Sequence, residues 1–105
     1  MPSAARAAKN ESVFREVNER IRELGEVFGV EELASFVCEC SSAGCTAAVQ
    51  ATLDEYQTVR AKPRRFLVAR GHVNPDLERI VTQTDRYTVV EKIGLAGEIA
   101  EAEAS

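Results

Sequence analysis

Phe36-Val37-Cys38-Glu39-Cys40-Ser41-Ser42-Ala43-Gly44-Cys45 is the stretch that decides how this chain folds. It gathers all three cysteines of the chain into eight residues. Phe36 to Cys40 has the composition of a strand and runs into a turn at Ser41 to Gly44. Thr46 to Ala51 reads as the returning strand, which makes Cys38 to Cys45 the tip of a hairpin. Residues i and i+2 of a strand point to the same side, so Cys38 and Cys40 share a face and Glu39 takes the other. The single histidine, His72, follows on an Arg70-Gly71-His72 turn.

Three thiolates and one imidazole are the complete donor set of a closed tetrahedral zinc site, and Cys38, Cys40, Cys45 and His72 are assigned to it. With Zn²⁺ and neutral histidine the set carries one net negative charge. Arg64, Arg65 or Arg70, together with backbone amides of the Ser41-to-Gly44 turn, are the groups placed to offset it. The competing structural reading makes the cysteines small buried hydrophobes and His72 a surface residue. A disulfide would leave one thiol over and would not account for the histidine. An iron–sulfur cluster on the same four residues is the alternative cofactor. One family of such clusters also opens with two cysteines one residue apart, but there the third cysteine and the histidine are close in sequence, and here 26 residues separate Cys45 from His72. Four protein ligands leave no open position for a catalytic metal, there is no second histidine to serve as a base, and Asp54 and Glu55 are explained by helix capping. The sequence therefore predicts a structural ion in a protein that is not an enzyme.

Working outward, Val13, Phe14, Val17, Ile21, Leu24 and Phe28 recur at steps of three and four, which predicts a helix over 11–28 with that stripe turned to the core. Asn10 is placed to cap it and Gly29 to end it in the left-handed conformation. The opposite face carries Arg15, Glu16, Glu19, Arg20, Arg22, Glu23 and Glu26. Thr52-Leu53-Asp54-Glu55 is a capping box and predicts a short helix from Leu53 to Arg60, stopped by Pro63. Arg65 to Ala69, Leu77 to Thr84 and Tyr87 to Ile93 read as strands, the last two joined through Asp85-Arg86. The fold class is α+β: an N-terminal amphipathic helix, a small antiparallel sheet with a short internal helix, and a Cys3His metal site.

The chain has 105 residues, enough for one domain. The expected division is a disordered N-terminus over 1–9, a single zinc-stapled domain over 10–96 and a loose acidic tail over 97–105. A core this small gains proportionately from a metal staple. No run of about 18 apolar residues is present, so no membrane span is expected. Met1 to Asn10 lacks the apolar region of a secretory signal, and an odd number of thiols suits a reducing, cytoplasmic setting. The net charge of −4 opposes indiscriminate polyanion binding. Within that acidic chain Arg60, Lys62, Arg64, Arg65 and Arg70 form a basic segment, which is either a solvated face or a site for a partner or an anion.

Several strings carry a resemblance: Asn10-Glu11-x-x-Phe14-Arg15-Glu16-x-Asn18-Glu19-x-Ile21, Phe36-x-Cys38-Glu39-Cys40-x4-Cys45, Glu55-Tyr56-x-x-Val59-Arg60-x-x-Pro63-x-Arg65-Phe66-x-Val68, Gly71-His72 and Val89-Val90-Glu91-Lys92. Over roughly residues 10 to 100 the chain resembles a family of small actinobacterial zinc-type domains to which no activity is attached. The resemblance implies a stand-alone bacterial zinc-binding domain. Arg70 departs from it, since a proline usually stands before the Gly-His pair.

These readings predict a regulatory or protein-interaction module that meets an unidentified protein through the charged face of helix 11–28 or through the Arg60-to-Arg70 surface. The alternatives are a nucleic-acid-binding regulator using that basic segment on phosphates, and a thiol switch in which oxidation of the cysteines releases zinc.

Overall fold

The computed structural model describes residues 4–29, 32–40 and 45–104, with side chains over 11–29, 32–40 and 45–102. Its elements in chain order are α1 (Ala4–Val27), β1 (Ala34–Val37), β2 (Ala48–Ala51), α2 (Leu53–Arg60), β3 (Arg65–Val68), β4 (Glu78–Gln83), β5 (Thr88–Lys92) and α3 (Gly94–Ala104). The class is α+β, as the sequence predicts, but the strands form two antiparallel sheets rather than one. The first is the β1–β2 hairpin, with Phe36 opposite Val49. The second has the order β3-β5-β4, with Phe66 opposite Val90 and a bulge between Ile80 and Thr82.

Cys38 to Cys40 joins the two sheets. The Cys38 amide donates to Ala47 O at 3.0 Å, continuing the hairpin, and the Glu39 amide donates to Leu67 O at 2.8 Å, reaching across to β3. α2 begins at the expected capping box: the Glu55 amide donates to Thr52 Oγ1 at 3.1 Å and the Thr52 amide donates to Glu55 Oε1 at 2.8 Å. Gly29 is left-handed with φ of 69° and closes α1 as anticipated. In the core, the Phe36 and Tyr56 rings stack at 4.6 Å among Val49, Leu67, Val68 and Val90.

Three expectations are overturned. The apolar stripe of α1 faces the core only in part: Ile21 packs against it and Phe14 is half-buried, but Val17 is 42% exposed, Leu24 57% and Phe28 78%. Glu11, Arg15 and Asn18 are the buried positions instead. The reason is that the sheets present hydrogen-bonding groups where α1 crosses them, so polar side chains are the ones with partners there. Second, Asn10 is not the cap, because α1 already runs from Ala4; alanine has the best helix propensity and Ala4, Ala5, Ala7 and Ala8 extend the helix backwards. Third, the region expected to be an acidic tail is largely α3, which packs on α1 and β5 with Ala96 and Ala100 buried. Small residues at that spacing let the helix approach closely, and at Gly97 a Cβ would lie 2.8 Å from Lys92 O.

Candidate metal centre

Local structure brings each donor to one point. Cys38 and Cys40 leave the end of β1 on one side of the chain, and Cys45 returns at the start of the second hairpin arm. His72 arrives from the turn after β3, where the His72 amide donates to Ala69 O at 3.1 Å and Gly71 takes φ of 82°. That angle belongs to the left-handed region that glycine enters at no steric cost.

The four donor atoms lie within 4.8 Å of one another. His72 Nδ1 is 3.6 Å from Cys38 Sγ and 3.5 Å from Cys45 Sγ. A tetrahedron with metal–sulfur bonds of about 2.3 Å and a metal–nitrogen bond of about 2.0 Å has a sulfur–nitrogen edge of about 3.5 Å. Those two distances match that edge, so the group could hold a single ion of zinc's size. None of the cysteines is in a disulfide. Cys38 and Cys40 are buried, Cys45 is half-buried and His72 is exposed, so the ion site has an inner wall of sulfur and an outer wall at the surface.

Burial pushes the Cys38 thiol up, and the neighbouring cysteines add to that push. The Ala69 amide opposes it by donating to Cys38 Sγ at 3.1 Å. This is the kind of backbone bond that steadies a thiolate ligand. The sequence reading looked for such amides in the Ser41-to-Gly44 turn, which lies outside the described residues, and did not single out Ala69.

Glu39, between two of the cysteines, turns the opposite way and is fully buried. Its Oε1 accepts from the Leu67 amide at 2.9 Å, and its Oε2 accepts from Tyr56 Oη at 2.6 Å and Asn18 Nδ2 at 2.8 Å. Burial pushes the carboxyl up, while those donors and the Arg15 guanidinium hold it down. Asn18 also accepts from the Val37 amide at 2.8 Å and donates to Val37 O at 2.9 Å. The segment that carries Cys38 and Cys40 is therefore pinned from behind by α1, α2 and β3. Sequence reading missed this nest. A polar residue at each of 11, 15 and 18 on one helix face was the available signal.

A second buried group lies further along α1, where Lys92 forms ion pairs with both Glu11 and Glu78 and sits 5.3 Å from the Phe66 ring centre. Arg15 stacks on the same ring at 4.3 Å and donates to Pro63 O at 3.1 Å. Desolvation raises the Glu11 carboxyl to about 7 against the pull of Lys92.

The basic segment is not assembled into a cationic surface. Arg60 pairs with Glu19 at 2.7 Å, Arg64 with Glu101, and Arg65 with Glu91 at 3.7 Å. Lys62 and Arg70 are exposed and enter no ion pair among the described residues. None of the five hydrogen-bonds to Cys38 or Cys45 among the described residues.

No protein-family model, curated protein or solved structure matches the chain.

Proposed function

We propose that this chain is a small non-enzymatic module whose fold is closed by a structural zinc ion on Cys38, Cys40, Cys45 and His72, and that it acts by presenting a surface to a protein partner. The observation that carries the reading is that these four donor atoms lie within 4.8 Å of one another, with the Cys38 and Cys45 sulfurs at 3.6 and 3.5 Å from His72 Nδ1, about the sulfur–nitrogen edge of a mononuclear tetrahedron. A cluster of two or more irons distributes its ligands over several metals and spreads them farther apart, so the same distances favour one ion. Zinc suits a site of three thiolates and an imidazole, whose tetrahedral closure leaves no position for substrate. The carboxylate nearest in sequence, Glu39, is committed to the core and faces away from the sulfurs.

Cysteines held outside any disulfide fit a reducing compartment such as the cytoplasm. Among the described residues no helix is long and apolar enough to cross a membrane. Neutralisation of Arg60, Arg64 and Arg65 by neighbouring carboxylates weighs against the nucleic-acid reading, because phosphate binding would have to break those pairs.

Elemental analysis with an absorbance spectrum of the purified protein tests the proposal. One zinc per chain and a colourless solution are expected. A brown solution containing iron and sulfide would overturn the zinc assignment. Metal-free protein that melts at the same temperature as the purified form would overturn the structural role.

A further inference from the structure

α1 has two faces with the same rhythm. Its inward rail is Glu11, Arg15, Asn18, Arg22 and Gly25, and its outward rail is Val13, Val17, Arg20, Leu24 and Val27, both advancing by four, three, four and three residues. A shift of two residues turns a helix by about 200°, so the two rails lie on nearly opposite sides. The inward rail is occupied by the rest of the domain. The outward one is an a/d seam, the pattern that packs one helix against another. Val13 and Val27 are 52% and 79% exposed.

From this seam we infer that the chain pairs with a second copy of itself through α1, the two helices running antiparallel. Charge decides both occupant and direction. The seam is apolar except for Arg20 at its centre, whose side chain is 78% exposed and among the described residues reaches only Glu23, at 3.9 Å. In a parallel, in-register pair Arg20 would meet its own copy across the seam, a like-charge contact. In an antiparallel pair Val13 packs on Leu24 of the other chain and Arg20 packs beside Val17 and Glu16 of the other chain. Each Arg20 then lies between an acid of its own helix and one of its partner's, twice over by symmetry. Glu16 and Glu23 flank the seam in both copies, so the same surface supplies the cation and the anions it needs.

The edge of the three-stranded sheet at β4 is guarded against association. β4 is an edge strand, but its bulge at Ile80/Thr82 and the exposed Arg79 discourage strand addition. A lipid surface fits the seam poorly, because membrane-lying helices flank their apolar stripe with lysine and arginine, whereas this stripe is flanked by Glu16 and Glu23.

Sedimentation of the zinc-loaded full-length chain tests the inference. The mass is expected to double as protein concentration rises, and Leu24→Asp to leave it single while circular dichroism and zinc content stay unchanged. Arg20→Glu and Glu16→Arg are each expected to weaken pairing at least tenfold, since each sets like charges against each other. Mixing these two variants is expected to restore pairing. Antiparallel packing then sets the introduced acid of one chain against the introduced base of the other, and keeps one native Arg20–Glu16 contact on the symmetry-related side. A single-chain mass at every concentration would overturn the inference and leave the seam to a different protein. A dimer indifferent to Leu24→Asp would place the interface elsewhere, and failure of the mixture to recover would overturn the antiparallel arrangement. None of these outcomes depends on which metal the thiols hold.

Discussion

Asn18 closes a two-point clamp on the Val37 peptide, accepting from its amide at 2.8 Å and donating to its carbonyl at 2.9 Å, one residue before Cys38, the first of the candidate metal ligands. The same Nδ2 also reaches Glu39. Asn18→Leu keeps the branched shape, and improves helix propensity, while removing every one of these bonds. Buried polar groups left without partners cost about 1–3 kcal/mol each. Urea unfolding of the zinc-loaded variant is expected to show a loss of roughly 3 kcal/mol or more, the sum over several such groups. An unchanged midpoint would mean that Val37 and Glu39 find other partners.

Removing the metal separates the two walls of the site. Cys38→Ser, on the buried wall, is expected to abolish stable zinc binding and to leave a chain that melts well below the wild type. His72→Ala, on the exposed wall, leaves three thiolates and room for water as the fourth ligand. It is expected to retain the fold but to weaken zinc affinity by more than about 100-fold, beyond what loss of a supporting group causes. Competition with a chromogenic chelator reads the affinity, and calorimetry with and without chelator reads the melt. Equal behaviour of the two variants would contradict the division of the site into inner and outer walls.

Glu11 makes stability depend on pH in a defined direction. Its carboxyl titrates near 4.5 in the unfolded chain and about 7 when folded, because burial outweighs the attraction of Lys92. The folded state therefore holds the proton more tightly. The associated stability is fully present below 4.5, declines as pH rises towards 7 and is gone above it. Glu11→Gln mimics the protonated form at every pH. Its advantage over the wild type is expected to grow from near zero at about pH 5 to roughly 3 kcal/mol at about pH 8, following the shift of about 1.4 kcal/mol per pH unit. Both proteins are compared zinc-loaded, so the metal's own pH dependence cancels. Parallel curves would show that Lys92 keeps Glu11 ionised despite its burial.

Gly97 tests whether the C-terminal helix is docked. A Cβ there would meet the Lys92 carbonyl at 2.8 Å. Although alanine favours helix, Gly97→Ala is expected to cost about 1–3 kcal/mol through overpacking. Hydrogen exchange should show faster exchange over 94–104. A stabilising effect would mean that α3 is not seated on β5.

Much of the architecture was legible because it rests on local rules. The capping box at Thr52 and Glu55, the left-handed Gly29 and the later β-rich runs each act over a few residues, and the structure shows them close to where the sequence places them, although β1 spans Ala34–Val37 and not the expected Phe36 to Cys40. That Cys38, Cys40, Cys45 and His72 come together was legible for a different reason: cysteine and histidine chemistry restricts what so dense a cluster can do. The orientation of α1 was not legible. The rule that apolar residues face inward presumes an apolar receiving surface, and α1 meets the Val37 peptide, the Glu39 carboxylate and Lys92 instead. That surface forms only when distant strands assemble, so no window of sequence around α1 contains it. Likewise, the partners that neutralise the basic segment come from α1, α3 and β5, and local charge counting could not foresee them.

The alternation of thiol, carboxylate and thiol at 38–40 also guards alignment. If the strand slid by one residue, the carboxylate would be thrust among sulfurs and a thiol would enter a nest built of donors for an anion. A misaligned hairpin would thus be penalised on both its surfaces at once, which leaves the native pairing without a near competitor.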